Sequence, residues 1–289
     1  MTFQQFRSKY PQQTMILQNG KKFIYRYSQH PTSQQTVVLL TGGIGLSDLL
    51  YLHFQRFSKD FSVITFDYQQ QFENNQDLAA AVAELLTRLH IKGWLVGQSL
   101  GGIVAQIIAK NFPQVVEGMV LSNTCSLSSN MNEKAYEHLM KMFQNIQKSK
   151  KLLAFTPFGQ YKKLMKKVIL KNQTEGFTEK EIKLIEGLCD IMIELINKPY
   201  VIHMLDLLTD LKKHFGHTPT DFAYLKNRVL LILSEDDETF TKDCKKALIE
   251  IMPEPTVITN LTGGHMALLV RLEKYTDIVS EYILNRSDK

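Results

Sequence analysis

The 289-residue sequence predicts an α/β fold: a mainly parallel sheet with helices on both faces, an antiparallel N-terminal hairpin and a helical insertion. Short apolar runs alternate with helical patterns from Thr36 to Ser122 and again from Arg228 onward. That rhythm belongs to a parallel sheet covered on both sides. Asn19-Gly20 lies between two runs of strand character, which is a strong hairpin signal. From about Ser126 to Lys226 the alternation stops, and only helical patterns remain. The expected organisation is a core formed by residues 1–125 and 227–289, with residues 126–226 as a helical cap.

The elements follow in chain order. Thr14–Gln18 and Lys22–Tyr27 form the hairpin. Thr36–Leu40 is an apolar strand that runs into a glycine loop, followed by a helical stretch through Leu50 and Phe54 to Phe57. Phe61–Phe66 is the next strand and Asp77–His90 a long helix. Gly93–Val96 is short and apolar, as a buried strand should be, and Gly101–Ala109 reads as a helix closed by Lys110 and Asn111. Glu117–Ser122 completes this half. In the insertion, Ala135–Gln147 and Glu179–Ile196 have helical periodicity. The core resumes with the strand Arg228–Leu233, a helix near Lys242–Met252, the strand Thr256–Ile258 and a final helix from Met266 to Leu284.

Chemistry concentrates where the strands end. Gly97-Gln98-Ser99-Leu100-Gly101 sets a serine between glycines at a strand-to-helix turn, the pattern of a nucleophile elbow. The turn needs neighbours without Cβ atoms, and it leaves the N–H groups of the helix start facing the hydroxyl. A serine needs a base, and the base an orienting carboxylate. Ser234-Glu235-Asp236-Asp237 follows one late strand, and Thr262-Gly263-Gly264-His265 follows the next. The chain order is therefore Ser99, Asp237, His265.

With these residues in hand, the chain resembles the α/β-hydrolase superfamily, in its cap-bearing serine esterase/lipase-like branch, over nearly its whole length. The resemblance implies a Ser99-His265-Asp237 triad. The family's Gly-x-x-Asp turn matches Asp237 with Ser234 in place of the glycine, which leaves Asp236 as the substitute acid. It also implies an oxyanion hole from the N–H groups of Leu100 and Gly43, with Ile44 next in line. Leu40-Thr41-Gly42-Gly43-Ile44-Gly45 resembles the family's His-Gly loop, with Thr41 in the histidine's place. The expected activity is hydrolysis of a carboxylic ester or related acyl bond of a small molecule through an acyl-enzyme. No metal or organic cofactor is expected. Proline aminopeptidase, carbon–carbon hydrolase and cofactor-free haloperoxidase chemistries share the scaffold, as does a non-catalytic small-molecule receptor.

Composition narrows the partners. Hydrophobic residues make up 44% and charged ones 22%, ordinary for a globular domain, and a net charge of +5 makes no case for nucleic acid. Cys125, Cys189 and Cys244 show neither a disulfide framework nor a metal pattern, so a cytoplasmic location is expected. No run reaches transmembrane length, so no stable membrane insertion is expected. The oligomeric state is not written in these patterns.

The other histidines show no metal-ligand spacing, and His214 and His217 are expected at the surface. Met131, Met140, Met142, Met165, Met192 and Met204 suit an adaptable pocket roof or, equally, a helical core. Between positions 127 and 227 stand 16 lysines against 11 carboxylates, a difference equal to the whole net charge. Lys162, Lys163, Lys166 and Lys167, with Lys148, Lys150 and Lys151 upstream, could meet an acidic surface or lipid headgroups, although a solvated helix face is the expected reading.

Overall fold

A computed structural model of the chain describes residues 1–173 and 176–287. Its elements run α1 (Phe3–Lys9), β1 (Gln13–Ile16), β2 (Lys22–Ser28), β3 (Thr36–Leu40), α2 (Tyr51–Phe57), β4 (Ser62–Thr65), α3 (Asn75–Arg88), β5 (Gly93–Gln98), α4 (Leu100–Asn111) and β6 (Val116–Ser122). Then come α5 (Glu133–Phe155), α6 (Phe158–Gln173), α7 (Glu179–Leu195), α8 (Lys198–Asp210) and α9 (Pro219–Phe222). The chain closes with β7 (Val229–Ile232), α10 (Lys242–Ile251), β8 (Thr256–Ile258), α11 (Ala267–Val270) and α12 (Leu272–Ser287).

The eight strands form one sheet in the order β1-β2-β4-β3-β5-β6-β7-β8. The β1–β2 and β2–β4 pairs are antiparallel, and every pair from β4 to β8 is parallel. Successive strand residues point to opposite faces, so each inner strand feeds two cores. Val38, Leu40, Leu95 and Met119 belong to one buried cluster, which also takes in α3, α4 and side chains of α5, α7 and α8. Val37, Leu39, Trp94, Val96 and Val120 belong to the other, with α1, α2 and α12. That division explains why these strands read as unbroken apolar runs.

Strands stop at Ser122 and resume at Val229, with five helices between them. The only β-type pairing among the described residues of this stretch is an isolated bridge between Ser128 and His217. Ala135, Leu139, Phe143, Met192 and Met204 join the same buried cluster as α4. Of the six methionines singled out in the sequence, Met192 and Met204 are buried in this cluster, and Met131, Met140, Met142 and Met165 pack half-buried against it.

Three local differences from the sequence expectation have simple causes. The helix expected from Asp77 starts at Asn75, because the Asn74 side chain accepts from the Asp77 N–H and caps it two residues earlier. The N-terminal helix α1 was not expected. Thr2 and Gln5 form a capping box that starts it, and Phe6 anchors it in the second cluster. The single final helix expected from Met266 is broken: a short 3₁₀ turn and α11 end at Arg271, whose backbone leaves the helical region, and α12 begins afresh.

Candidate active site

Ser99 sits between β5 and α4 with φ 54° and ψ −121°, a strained backbone for a residue with a side chain. The turn is held on every side. The Ser99 N–H donates to Ser122 O at 3.1 Å, and Thr124 Oγ1 donates to Ser99 O at 2.7 Å. A Cβ at position 97 would lie 2.3 Å from Gly101 O, and one at position 101 would lie 2.4 Å from Leu40 O. Both flanking glycines are therefore required by the approach of β3, β5 and α4.

His265 and Asp237 arrive from the loops after β8 and β7. Gly263 and Gly264 adopt φ 129° and 56°, which turns the chain sharply enough to present the imidazole from the 3₁₀ turn. His265 Nδ1 lies 3.3 Å from Asp237 Oδ2, whose side chain is completely buried. The Thr239 N–H donates to the other carboxylate oxygen at 2.8 Å. Burial alone would raise the Asp237 carboxyl. The hydrogen bond and charge of His265, the Thr239 N–H and Lys245 outweigh it and hold the group below the ordinary aspartate range.

The neighbouring acid does something else: Asp236 Oδ2 accepts from the Gly263 N–H at 2.8 Å, tying one loop to the other. Asn123 binds both loops as well, donating to Gly264 O at 2.7 Å and to Ser234 Oγ at 3.1 Å and accepting from the Ser234 N–H. Ser234, where the family carries glycine, is fully buried and engaged in this network.

One expected link is not made. No hydrogen bond joins Ser99 Oγ to His265. Instead Gln98 Nε2 donates to His265 Nε2 at 3.0 Å and to the His265 carbonyl at 3.1 Å. The structure brings imidazole and carboxylate into contact, and Ser99 lines the same cavity as His265. Sequence reasoning missed Gln98 and Asn123. Gln98 was in plain view, since alternation along β5 puts it on the face of Val96, but nothing in the chain located its histidine partner.

The loop after β3 approaches from the third side. The Tyr68 hydroxyl donates to Thr41 O at 2.8 Å, the Tyr68 N–H to Gly45 O at 2.9 Å, and the Gly45 N–H to Gly42 O at 2.9 Å. Neither the Gly43 N–H nor the Leu100 N–H has a partner among the described residues, and the loop from Thr41 to Gly45 lines the cavity. That cavity encloses about 280 Å³. Ser99, His265 and Gln98 sit in its wall, Ile169 of α6 and Ile185, Leu188 and Met192 of α7 cover it, and Leu39, His53 and Tyr275 line its other side.

Outside the site, His217, in the α8–α9 connection, is buried rather than exposed, contrary to expectation: its backbone bonds to Leu127 and Ser129 and Phe222 packs edge-on against its ring. Among the described residues no group of three or more His, Cys, Asp or Glu side chains is placed to hold a metal ion. The three cysteines are free and buried.

An eight-stranded, mostly parallel sheet with a serine elbow at its centre, and acid and histidine loops at neighbouring strand ends, is the architecture of a hydrolase-type α/β protein. The chain belongs to the alpha/beta hydrolase fold family, whose model matches residues 25–272. It is 23% identical over 273 residues to RutD of Yersinia enterocolitica serotype O:8 / biotype 1B, whose name proposes carbamate hydrolase activity; the match covers 89% of this chain and 90% of that protein. Its fold is similar to that of a carboxylesterase of the ammonia-oxidizing thaumarchaeon Nitrososphaera gargenis, at TM-score 0.72 and 19% identity, covering 96% of this chain and 99% of that one. It is also similar to the enol-lactonase of Burkholderia xenovorans LB400, at TM-score 0.70 and 16% identity, covering 94% and 100%. Among the described residues no helix is long and apolar enough to cross a membrane.

Proposed function

We propose that the protein is a serine hydrolase that cleaves a carboxylic ester or a related acyl bond of a small molecule. The observation that carries this reading is the strained elbow of Ser99 opening on the same cavity as an imidazole already bonded to a buried carboxylate. Residues 126–226 act in it as the cap, with α6 and α7 shaping the acyl or leaving-group space.

In the proposed reaction His265 takes the Ser99 proton on Nε2 while Ser99 Oγ forms a bond to the substrate carbonyl carbon. The electron pair of the carbonyl moves to oxygen, and the N–H groups of Leu100 and Gly43 stabilise that oxyanion. The tetrahedral intermediate collapses, the bond to the leaving alcohol breaks, and His265 returns the proton to it. A water, deprotonated in turn by His265, attacks the acyl-serine; collapse releases the acid and restores Ser99. Asp237 holds the Nδ1 proton throughout, which fixes the tautomer and stabilises the imidazolium. The apolar lining and modest volume favour a small acyl substrate, and the relative's name brings carbamates within the related acyl bonds worth assaying.

Active-site labelling with a fluorophosphonate tests this. Wild-type protein is expected to carry the probe on Ser99, and the Ser99→Ala variant to carry none. Labelling that persists in the variant, or a folded wild type that takes up no probe and turns over no p-nitrophenyl ester, overturns the reading.

A further inference from the structure

Residues 138–174 contain nine lysines and no carboxylate. They cover most of α5, the corner at Pro157 and α6. Part of this charge is used internally: Lys150 pairs with Asp206, Lys166 with Asp190, and Lys162 donates to Ile193 O at 2.6 Å. Lys148, Lys151, Lys163, Lys167 and Lys171 are exposed and in no ion pair among the described residues. A solvated helix face would ask for nothing more, and that was the sequence expectation.

The structure adds a feature that solvation does not explain. Of ten exposed large apolar side chains among the described residues, four fall within this same stretch: Leu152, Phe155, Leu164 and Val168, with Phe155 90% exposed at the corner. On α6 the inner face carries Tyr161, Met165 and Ile169, packed on the body of the protein. Leu164 and Val168, one turn apart, stand on the outer face flanked by Lys163, Lys167 and Lys171. Apolar side chains rimmed by cations mark an interaction surface. The excess positive charge repels a second copy of the same face and selects an anionic partner.

We propose that the α5–α6 corner and the outer face of α6 dock on an anionic lipid surface. The lysines meet headgroup phosphates, and Phe155, Leu152, Leu164 and Val168 enter the interface between headgroups and acyl chains. Docking is peripheral and needs no spanning segment. Ile169, on the opposite side of the same helix, lines the cavity that holds Ser99, so a docked molecule carries its cavity roof against the lipid. The binding itself is independent of the proposed chemistry.

Co-sedimentation of the full chain with vesicles tests the proposal. The protein is expected to partition onto phosphatidylcholine vesicles containing phosphatidylglycerol, and not onto phosphatidylcholine alone. The pair Lys163→Gln/Lys167→Gln should lower partitioning by more than about ten-fold, since each lysine near an anionic surface contributes about a five-fold factor. Phe155→Asp should lower it similarly. The exposed pair Lys242→Gln/Lys246→Gln on α10 should change it by less than about two-fold, and hydrolysis of a soluble p-nitrophenyl ester should be the same in all. Ser99→Ala protein should partition like wild type, which separates failure of this proposal from failure of the functional reading. The proposal is overturned by equal binding to both vesicle types, or by equal loss from the α10 pair. It is also overturned by undiminished binding of Phe155→Asp, or by a concentration-dependent dimer that Phe155→Asp dissolves.

Discussion

Gln98 Nε2 donates a hydrogen bond to His265 Nε2 at 3.0 Å, on the ring nitrogen that the proposed mechanism needs for the Ser99 proton. With that lone pair engaged, the ring proton rests on Nδ1 and points to Asp237, the tautomer a general base requires. In the proposed mechanism the amide orients the imidazole correctly while competing with the serine for it.

Replacing Gln98 should show which effect dominates. In Gln98→Leu the competing donor is gone, and a hydrogen bond of ordinary net strength translates into about a two- to ten-fold faster fluorophosphonate labelling of Ser99. A slower rate would mean that the amide serves only to position the loop.

Asp237 and Asp236 make opposite predictions. Asp237→Asn keeps the shape but inverts the hydrogen-bond polarity at His265 Nδ1, and kcat should fall by about four orders of magnitude. Asp236→Asn replaces the charged acceptor of the Gly263 N–H with a weaker neutral one and should chiefly lower thermal stability, with kcat within about ten-fold of wild type. Steady-state kinetics and melting curves on the two variants decide the assignment; equal kcat losses would contradict it.

Strain at the elbow gives a third test. Ser99 holds φ 54°, a region open to glycine. Ser99→Gly should stabilise the fold by about 1 kcal/mol, a rise in Tm of about 2 °C, while ester hydrolysis is lost. Ser99→Ala keeps a Cβ and should not show the gain. Equal melting temperatures for the two variants would mean that the backbone is not strained there.

Two buried histidines set a pH dependence of stability. Burial, against an opposing hydrogen bond to Leu268 O, pushes His53 down to about 4. Burial and Lys110, opposed by Asp221 and reinforced by His214, push His217 down to about 4. Both are only 2% exposed. In the unfolded chain a histidine titrates near 6.5, so between about 6.5 and 4 the unfolded state binds more protons and stability falls as pH drops, by up to ~3 kcal/mol for each. The depressed Asp237 contributes stability that is lost only at lower pH, as its carboxyl protonates. Urea midpoints at about pH 7 and about pH 5 should differ clearly in wild type and less in His217→Leu. An unchanged difference in the variant would remove His217 from the account.

Much of this protein was legible in its residues because the signals were local. Apolar strand runs, the Asn19-Gly20 turn and the glycines around Ser99 each act through neighbours in sequence, so the α/β class and the elbow could be read directly. The histidine after Gly263-Gly264 and the acids after Leu233 were legible too, since strand ends gather at one edge of a parallel sheet. The capping box at Thr2 and Gln5 was equally local and was overlooked. What could not be read were relationships between distant segments. Which of two adjacent carboxylates turns to the imidazole depends on a backbone N–H 27 residues away. That Gln98 meets His265 depends on a loop 167 residues on. Asn123 bridges two loops to which no pattern connects it.

The lysine run shows the same division on the surface. Its charge and spacing were plain, yet whether Leu164 and Val168 face inward or outward depends on which side of α6 packs on the protein, and the helix carries apolar residues on both. Sequence alone determined the fold class, the elbow and the residue types at the strand ends, because backbone propensity and period act over a few residues. Only the tertiary structure decided partner choice at His265 and the exposure of α6, because hydrogen-bond distance and burial are set by segments that meet only when the sheet closes and the helices pack over it.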